Sequence, residues 1–151
     1  MKFISHRGNL TGPSLLENSP AQIEKCIKLG FDVEVDLWHE DHHYYLGHDE
    51  SQYYVPMTWL VKWKDKLWIH CKNPQSLFYM MDKNKDFDGF NFFYHNNDDY
   101  TLISNGMVWV YPGKELLKNS ICCMPEWGIG GDLSICYAIC TDEVLKYKEL
   151  I

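Results

Sequence analysis

Short apolar runs alternate along the chain with polar and turn-forming segments, and two of these runs carry a clear period. Residues 31–38 alternate valine and leucine with acidic residues, which is the period-2 pattern of a strand with two distinct faces. Residues 20–29 carry apolar side chains at helical spacing, with Ser19 as N-cap, Pro20 at the first helical position and Gly30 after the end. The pattern therefore predicts a helix followed directly by a strand.

The remaining runs predict a chain that begins β-α-β and is strand-rich afterwards. Further strands are predicted at residues 1–5, 44–46, 67–71, 89–93, 107–111, 121–124 and 134–139, and further helices at residues 73–83 and 143–150. The strand at 44–46 is expected to form a hairpin with the strand at 31–38 across the polar turn at 40–43. No internal repeat or linker interrupts the pattern, which favours a single domain over residues 1–151.

Composition narrows the choice of partners. The chain has 151 residues, of which 46% are hydrophobic, and a formal net charge of −7. No run of lysine or arginine forms a basic stripe, so nucleic acid and anionic membrane surfaces are excluded as expected partners. An acidic chain that binds an anionic small molecule needs local positive charge, from a metal ion or from a few placed Arg and Lys side chains.

Targeting signals and cysteines add two expectations. The N-terminal residues contain no apolar segment of signal-peptide length, and no uncharged apolar stretch approaches a membrane span. We therefore expect a cytoplasmic protein without stable membrane insertion and without an exposed apolar loop to seat it on a bilayer. The six cysteines lack paired Cys-x-x-Cys spacing, which favours buried free thiols over disulfides, zinc ligands or a redox role.

Chemically active side chains occur where several predicted strands end. His6 follows the first strand, Glu34 and Asp36 share one face of the second, His48 follows the third, and His70 ends another. Catalytic residues of parallel α/β barrels come from the C-terminal ends of several strands. Two carboxylates one residue apart can hold a divalent cation, and two histidines can transfer protons near neutral pH. Each residue alone is more often structural, so the prediction rests on the constellation.

Four short motifs within this constellation resemble the opening of the glycerophosphodiester phosphodiesterase family. They are ISHRG at residues 4–8, ENSPA at 17–21, GFDVEVD at 30–36 and LGHD at 46–49, and their order and spacing also agree. Together they cover about the first third of the chain and are far more specific than any one motif. Near the C-terminus, AICTD at residues 138–142 resembles the closing strand and turn of the family.

The resemblance implies roles for individual residues. His6 and His48 would form the acid–base pair, and Arg7 would bind the phosphate oxygens. Glu34 and Asp36 would be ligands of one divalent metal ion, Mg, Ca or Mn.

Two further residues would contact or support the substrate. Lys72 would be a second phosphate contact, and Glu17 would support the site as a candidate substrate-binding residue. Asn18 would tie down the first loop.

One motif departs from the family pattern and leaves the third metal ligand open. His70 occupies the position of the third carboxylate ligand, and an imidazole with two carboxylates suits Mn, Fe or Zn better than Ca or Mg. Alternatively, Glu126, after a later strand, restores a site made only of oxygen ligands. A third reading is an altered site without activity.

Chain length is the other departure. A complete (β/α)8 barrel needs about 250 residues. We therefore expect an α/β fold with a reduced TIM barrel of about seven or eight strands, few outer helices, and flanks that a second copy could cover in a homo-oligomer.

A polar-aromatic segment supplies secondary candidates. His95, Asp98, Trp109 and Tyr111 lie at predicted strand ends and could line a pocket for the leaving group, or could equally serve as packing and turn residues.

The leading functional prediction is a metal-dependent phosphodiesterase that acts on a small-molecule diester of a polar alcohol such as glycerol. The alternatives are a catalytically inactive phosphate-ester binding protein on the same scaffold and a lipid phosphodiesterase of the sphingomyelinase D type.

Overall fold

The computed structural model describes residues 1–82 and 88–151. Ten strands follow one another along the chain: β1 (Lys2–His6), β2 (Asp32–Glu40), β3 (His43–Leu46), β4 (Tyr53–Val55), β5 (Leu67–Cys71), β6 (Asn91–Phe93), β7 (Tyr100–Leu102), β8 (Val108–Val110), β9 (Ile121–Cys123) and β10 (Ala138–Thr141). Four α-helices lie between and after them: α1 (Pro20–Lys28), α2 (Met57–Trp63), α3 (Pro74–Met81) and α4 (Val144–Leu150). Pro125–Trp127 and Leu133–Ile135 form short 3₁₀ helices.

All ten strands belong to one mixed sheet that is mostly parallel. Seven of them run parallel in the order β6-β5-β2-β1-β10-β9-β8. β7 pairs antiparallel with β8 at one edge, and the β3–β4 hairpin extends the C-terminal half of β2. The sheet places the carboxyl ends of the seven parallel strands along one edge, where the predicted site residues lie.

The sheet curls so that its two outer parallel strands approach each other. Phe93 of β6 stacks on Trp109 of β8 with ring centroids 4.6 Å apart. Ser104, in the turn between β7 and β8, donates its backbone N–H to the Phe92 carbonyl at 2.9 Å. Within residues 1–82 and 88–151 no strand ladder joins β6 to β7 or β8, so closure of the sheet into a barrel is not detected.

Two hydrophobic clusters lie on opposite faces of this sheet. The inner cluster includes Ile4, Trp68 and Trp109 from three different strands. The outer cluster joins Val33, Val35 and other β2 side chains to residues of helices α1, α2 and α3. Alternate residues of β2 thus face the helices, which leaves the intervening acidic residues for the inner face.

The predicted elements are largely confirmed. Helix α1 is capped as expected, because the Ser19 side chain accepts a hydrogen bond from the Gln22 N–H and Pro20 is the first helical residue. The hairpin turn between β2 and β3 forms with Asp41 and His42 at positive φ. The helix predicted at 73–83 is α3, although its predicted last residue, Lys83, lies outside the described residues. The expected shortage of outer helices is also seen, since residues 88–143 contain no α-helix.

Three expectations are corrected. The strand predicted at residues 134–139 is β10 with its start placed too early, because the Asp132 side chain caps a 3₁₀ turn at Leu133–Ile135 and the strand begins only at Ala138. β4, β7 and α2 were not predicted, since each is a short segment without strong end signals. The sheet therefore has ten strands instead of seven or eight. The additional strands, β4 and β7, are antiparallel and lie at its edges.

Two further predictions concern thiols and membrane spans. The cysteines are buried and free, as predicted, at positions Cys26, Cys71, Cys122, Cys123, Cys136 and Cys140. Among the described residues, no helix has the length and apolarity that crossing a bilayer requires.

Candidate active site

A cavity of about 330 Å³ opens at the carboxyl ends of the parallel strands. Its volume is at the small end of the range for ligand pockets and suits a compact substrate. Six of the predicted site residues line it: His6, Arg7, Glu34, His48, His70 and Lys72. The structure thus brings together side chains from β1, β2, β5 and the loop after β3.

The register between β1 and β2 places His6 beside Glu34. His6 pairs with Glu34 in the parallel ladder, and His6 Nε2 lies 3.8 Å from Glu34 Oε2. The next residue, Arg7, donates its backbone N–H to the Glu34 carbonyl at 3.0 Å. The end of β1 is therefore fixed against the acidic face of β2.

Asp142 holds the other side of the His6 ring. Asp142 Oδ1 is 2.7 Å from His6 Nδ1 and also accepts a hydrogen bond from the Asn9 side-chain amide at 2.7 Å. Burial of the ring opposes its protonation, but the hydrogen bond to Asp142 and the nearby Glu34 carboxylate outweigh it and raise the pKa of His6 to about 9. His6 is therefore an imidazolium at neutral pH.

Asp36 lies close to three nitrogen-bearing side chains. Its carboxylate lies 3.0 Å from Arg7 Nε, 3.1 Å from His70 Nδ1 and 3.5 Å from Lys72 Nζ. Asn18 contacts it twice, donating from its amide to Asp36 Oδ2 at 2.9 Å and accepting from the Asp36 backbone N–H at 3.0 Å. Burial alone would raise the pKa of Asp36, but the hydrogen bond to His70 and the nearby cations lower it, so the carboxylate stays ionised.

Glu34, Asp36 and His70 form a group that could hold a metal ion. One ligand atom from each residue lies within 4.8 Å of the others. Burial and the charge of Asp36 raise the pKa of Glu34, so a bound cation would relieve the cost of its ionisation. Asp36 Oδ1 is buried with His70 Nδ1 at 3.1 Å and Lys72 Nζ at 3.5 Å, so an ion bound by this oxygen would replace these contacts. These donors fit a divalent ion, and the nitrogen ligand favours Mn, Fe or Zn.

Glu126, the other candidate for the third ligand, has different partners. Both of its carboxylate oxygens accept from the Thr141 hydroxyl at 2.9 Å, and Oε1 also accepts from the Asp142 backbone N–H. It is not part of the group formed by Glu34, Asp36 and His70. Glu126 therefore fixes the turn that carries Asp142.

Glu17 contacts the guanidinium of Arg7 and does not line the cavity. Its carboxylate lies 3.3 Å from Arg7 Nη1 and accepts from the Asn9 amide at 2.8 Å. Arg7 has φ +53, a strained value for a residue with a side chain, and these contacts hold it there. Glu17 thus orients Arg7, and its predicted role in substrate binding stays a prediction.

His48 reaches the cavity from the loop after β3. The preceding residue, Gly47, is fixed because its carbonyl accepts from the Trp38 indole N–H at 2.7 Å and its N–H donates to the Asp36 carbonyl. A Cβ on Gly47 would lie 2.0 Å from the Glu50 carbonyl oxygen, so this close turn requires glycine. Burial and the charge of Arg7 lower the pKa of His48, which makes it a neutral imidazole at pH 7.

Rings form the opposite wall of the cavity. His70 stacks on Phe93 at 5.1 Å and contacts His95 at 5.2 Å, and His95 stacks on Tyr111 at 4.1 Å. Burial and the neighbouring His70 lower the pKa of His95 to about 4. His95, Trp109 and Tyr111 line the cavity, whereas Asp98 lies behind His95 at 3.9 Å from its Nδ1.

Sequence reasoning missed several residues of this site. Asp142 and Asn9 were not assigned a contact with His6, although Asp142 follows a strand within a motif that had been noticed. The cavity is also lined by Cys123, Met124 and Trp127. Their apolar sequence surroundings did not indicate a functional site.

Two loops correct the expectation that no apolar loop is exposed. Leu15 in the loop after β1 is 98% exposed, and Trp127 after β9 is 70% exposed. Both loops are tied to the end of β10, because Gly12 donates to the Asp142 carbonyl and Glu126 accepts from the Asp142 N–H. The exposed apolar side chains therefore belong to two loops that flank the same strand end.

Comparison of the chain with protein-family models, with curated proteins and with solved structures finds no match. The functional assignment therefore rests on the geometry of the site and on the sequence motifs.

Proposed function

We propose that this chain is a metal-dependent phosphodiesterase, resembling the glycerophosphodiester phosphodiesterase family, on a reduced TIM-type barrel. The observation that carries the proposal is the group of Glu34, Asp36 and His70, of which Glu34 and His70 line one cavity with His6, Arg7 and Lys72 while Asp36 is buried directly behind Arg7 and Lys72. A cation site, two positive side chains and a charged histidine at the ends of parallel strands can together stabilise the charge that develops in phosphodiester cleavage.

Arg7 and Lys72 would bind the substrate through their positive charge. Arg7 and Lys72 both line the cavity and both lie close to Asp36, so their charge is partly balanced before substrate arrives. A phosphodiester carries one negative charge on two non-bridging oxygens, which these donors can contact. Glu17 keeps the guanidinium of Arg7 in place for that contact.

Glu34, Asp36 and His70 would hold the metal ion. When bound, a divalent ion neutralises charge that develops on a non-bridging oxygen of the phosphate. Asn18 keeps Asp36 oriented through its two hydrogen bonds, which is the usual role of a residue that positions a metal ligand.

The two histidines differ in charge, and this difference assigns their roles. His6, with a pKa raised to about 9, carries a proton that it can donate from Nε2 to the leaving oxygen, while Asp142 keeps Nδ1 engaged. His48, with a lowered pKa, is neutral and can accept the proton of the attacking hydroxyl. That hydroxyl belongs to water or to a neighbouring position of the substrate.

Hydrolysis of bis(p-nitrophenyl) phosphate, followed by release of nitrophenolate, tests the proposal. We expect turnover with added Mn²⁺, loss of turnover with EDTA, and a fall of at least 100-fold in His6→Ala. His43→Ala is the matched control, because His43 is exposed on β3 and does not line the cavity. Binding of phosphate esters without turnover under any metal would instead support the inactive binding protein.

A lipid phosphodiester is the second candidate substrate, favoured by the exposed Leu15 and by the exposed Trp127, which lines the cavity. Tryptophan and leucine side chains on loops around a cavity can enter the interface of a bilayer. Sedimentation with zwitterionic vesicles tests this candidate, because Trp127→Ser and Leu15→Ser should both release a protein that docks through these two loops. Absence of wild-type sedimentation would leave the water-soluble diester as the substrate.

A further inference from the structure

Two cysteines lie side by side on neighbouring strands of the sheet, at the wall of the cavity. Cys123 ends β9 and pairs in parallel register with Cys140 of β10, and both side chains belong to the inner hydrophobic cluster. The Met124 N–H donates to the Cys140 carbonyl at 2.7 Å, which continues the ladder past the pair. Neighbouring strands lie about 4.8 Å apart, which is within the usual range of Cα–Cα distances across a disulfide. The register therefore places the two thiols within reach of each other.

The two thiols differ in their access to the cavity. Cys123 lines the cavity and is 6% exposed, whereas Cys140 is 0% exposed and does not line it. All six cysteines lie in the described part of the chain, and the other four do not line the cavity either. A small reactant that enters the cavity therefore reaches Cys123, and Cys140 can react only with its neighbour.

The surroundings of the pair give the two sulfurs different reactivity. The hydrogen bond with Cys140 and the charge of His6 outweigh burial and lower the pKa of Cys123. Burial raises the pKa of Cys140, which stays a neutral thiol. A peroxide-reactive cysteine is typically accessible, has thiolate character and lies next to a second cysteine that resolves its oxidised form. Cys123 and Cys140 match these two roles in position as well as in charge.

We propose that Cys123 and Cys140 form an oxidation site, which hydrogen peroxide converts to a disulfide in the cavity wall. The inference goes beyond the proposed activity, which uses neither sulfur. From the sequence no redox role was expected for the cysteines, because their spacing does not show which strands are neighbours. All six are free thiols in the structure, so the disulfide is the product of an added oxidant.

The reaction proceeds in two balanced steps. The Cys123 sulfur attacks one oxygen of the peroxide, the O–O bond breaks, and a sulfenic acid and one water form. The Cys140 sulfur then attacks the Cys123 sulfur, the S–O bond breaks, and a second water leaves. The two thiols lose two protons and two electrons in total, and the peroxide takes them up as it is reduced to water.

Mass spectrometry of the folded, metal-free protein treated with hydrogen peroxide tests the site. We expect wild type to lose the mass of two hydrogen atoms, to yield a crosslinked peptide pair that contains Cys123 and Cys140, and to regain its mass with dithiothreitol. A wild type that forms no disulfide, or that links Cys122 to Cys136 instead, would overturn the proposal.

Three variants assign the crosslink, because Cys122 and Cys123 are adjacent in sequence. Cys140→Ala should stop the reaction at the sulfenic acid, which dimedone traps as a stable adduct, and Cys123→Ser should abolish both products. Cys136→Ser is the matched control and should leave the yield of disulfide unchanged, because Cys136 belongs to a separate hydrophobic cluster and does not line the cavity. Disulfide formation in Cys123→Ser, or its loss in Cys136→Ser, would contradict the assignment.

Turnover of bis(p-nitrophenyl) phosphate distinguishes this site from the proposed function. Because Cys123 and His6 line the same cavity, turnover should fall as the fraction of disulfide rises and should return with dithiothreitol. Full turnover in a fully crosslinked protein would show that the disulfide does not alter the cavity and would overturn that part of the inference. A reversible Cys123–Cys140 disulfide in a protein without any turnover would overturn only the proposed activity.

Discussion

Asp142 Oδ1 lies 2.7 Å from Nδ1 of His6, although the two residues are 136 positions apart in the chain. The contact exists because β1 pairs in parallel with β10, so both strands end at the same edge of the sheet. It fixes the orientation of the His6 ring and stabilises its charged form. The proton-donor role that we propose for His6 would therefore depend on the last strand of the sheet.

Replacing Asp142 with asparagine should lower the pKa of His6 toward its ordinary value and reduce kcat about 10- to 100-fold, the usual effect of losing an orienting residue. The pKa can be followed by NMR of ¹⁵N-labelled imidazole in metal-free protein. Asp132→Asn is the control, since Asp132 is exposed and only caps a 3₁₀ turn. A His6 pKa that stays near 9 in Asp142→Asn would contradict the assignment.

The positive charge of His6 should make the free energy of unfolding depend on pH. The pKa of His6 is about 9 in the folded protein and about 6.5 when unfolded, so its contribution is complete below pH 6.5 and is lost as pH rises through 9. The difference corresponds to about 3 kcal/mol of unfolding free energy. Urea denaturation in EDTA between pH 6 and 10 should show this loss in wild type and a much smaller one in His6→Gln. Equal slopes for the two proteins would be evidence against a raised His6 pKa.

Metal affinity distinguishes the two candidates for the third ligand. His70→Ala should weaken Mn²⁺ binding at least tenfold, because it removes one of three neighbouring ligand atoms. Glu126→Gln should leave the affinity within about threefold, since Glu126 is engaged by Thr141 and Asp142. Titration followed by electron paramagnetic resonance measures both. The reverse ranking would make Glu126 the ligand.

Asn18 should be essential for the position of Asp36. Asn18→Ala removes two hydrogen bonds to a buried ion-paired residue and leaves alanine at φ +61, which should cost about 2–4 kcal/mol of unfolding free energy. Asn119→Ala is a matched control, because Asn119 has φ +62 but is exposed and does not line the cavity. It should cost only about 1 kcal/mol. Similar losses of unfolding free energy in the two variants would mean that Asn18 matters only through its backbone conformation.

The sequence predicted those parts of the molecule that local patterns determine. The alternation in β2 placed Glu34 and Asp36 on one face, and the Ser19–Pro20 cap located the start of α1. The motifs also identified His6, Arg7, His48 and Lys72, all of which line one cavity.

Features that depend on contacts between distant residues could not be read in the same way. The start of β10 was misplaced because the apolar run at residues 133–135 looks like strand, whereas Asp132 turns it into a 3₁₀ helix. The choice between His70 and Glu126 depended on which strand end faces Asp36, and the Tyr111–His95 pair exists only because the sheet curls. These are properties of strand order, which period and composition do not encode.

The central claim is that Glu34, Asp36 and His70 hold a divalent ion next to His6. Anomalous diffraction from crystals grown with Mn²⁺ tests it most directly, because the metal gives a peak that needs no assumption about ligands. The account predicts one strong peak bounded by Glu34, Asp36 and His70 in the cavity that His6 and His48 line. A peak at Glu126 or elsewhere, or no peak in that cavity at saturating Mn²⁺, would contradict it.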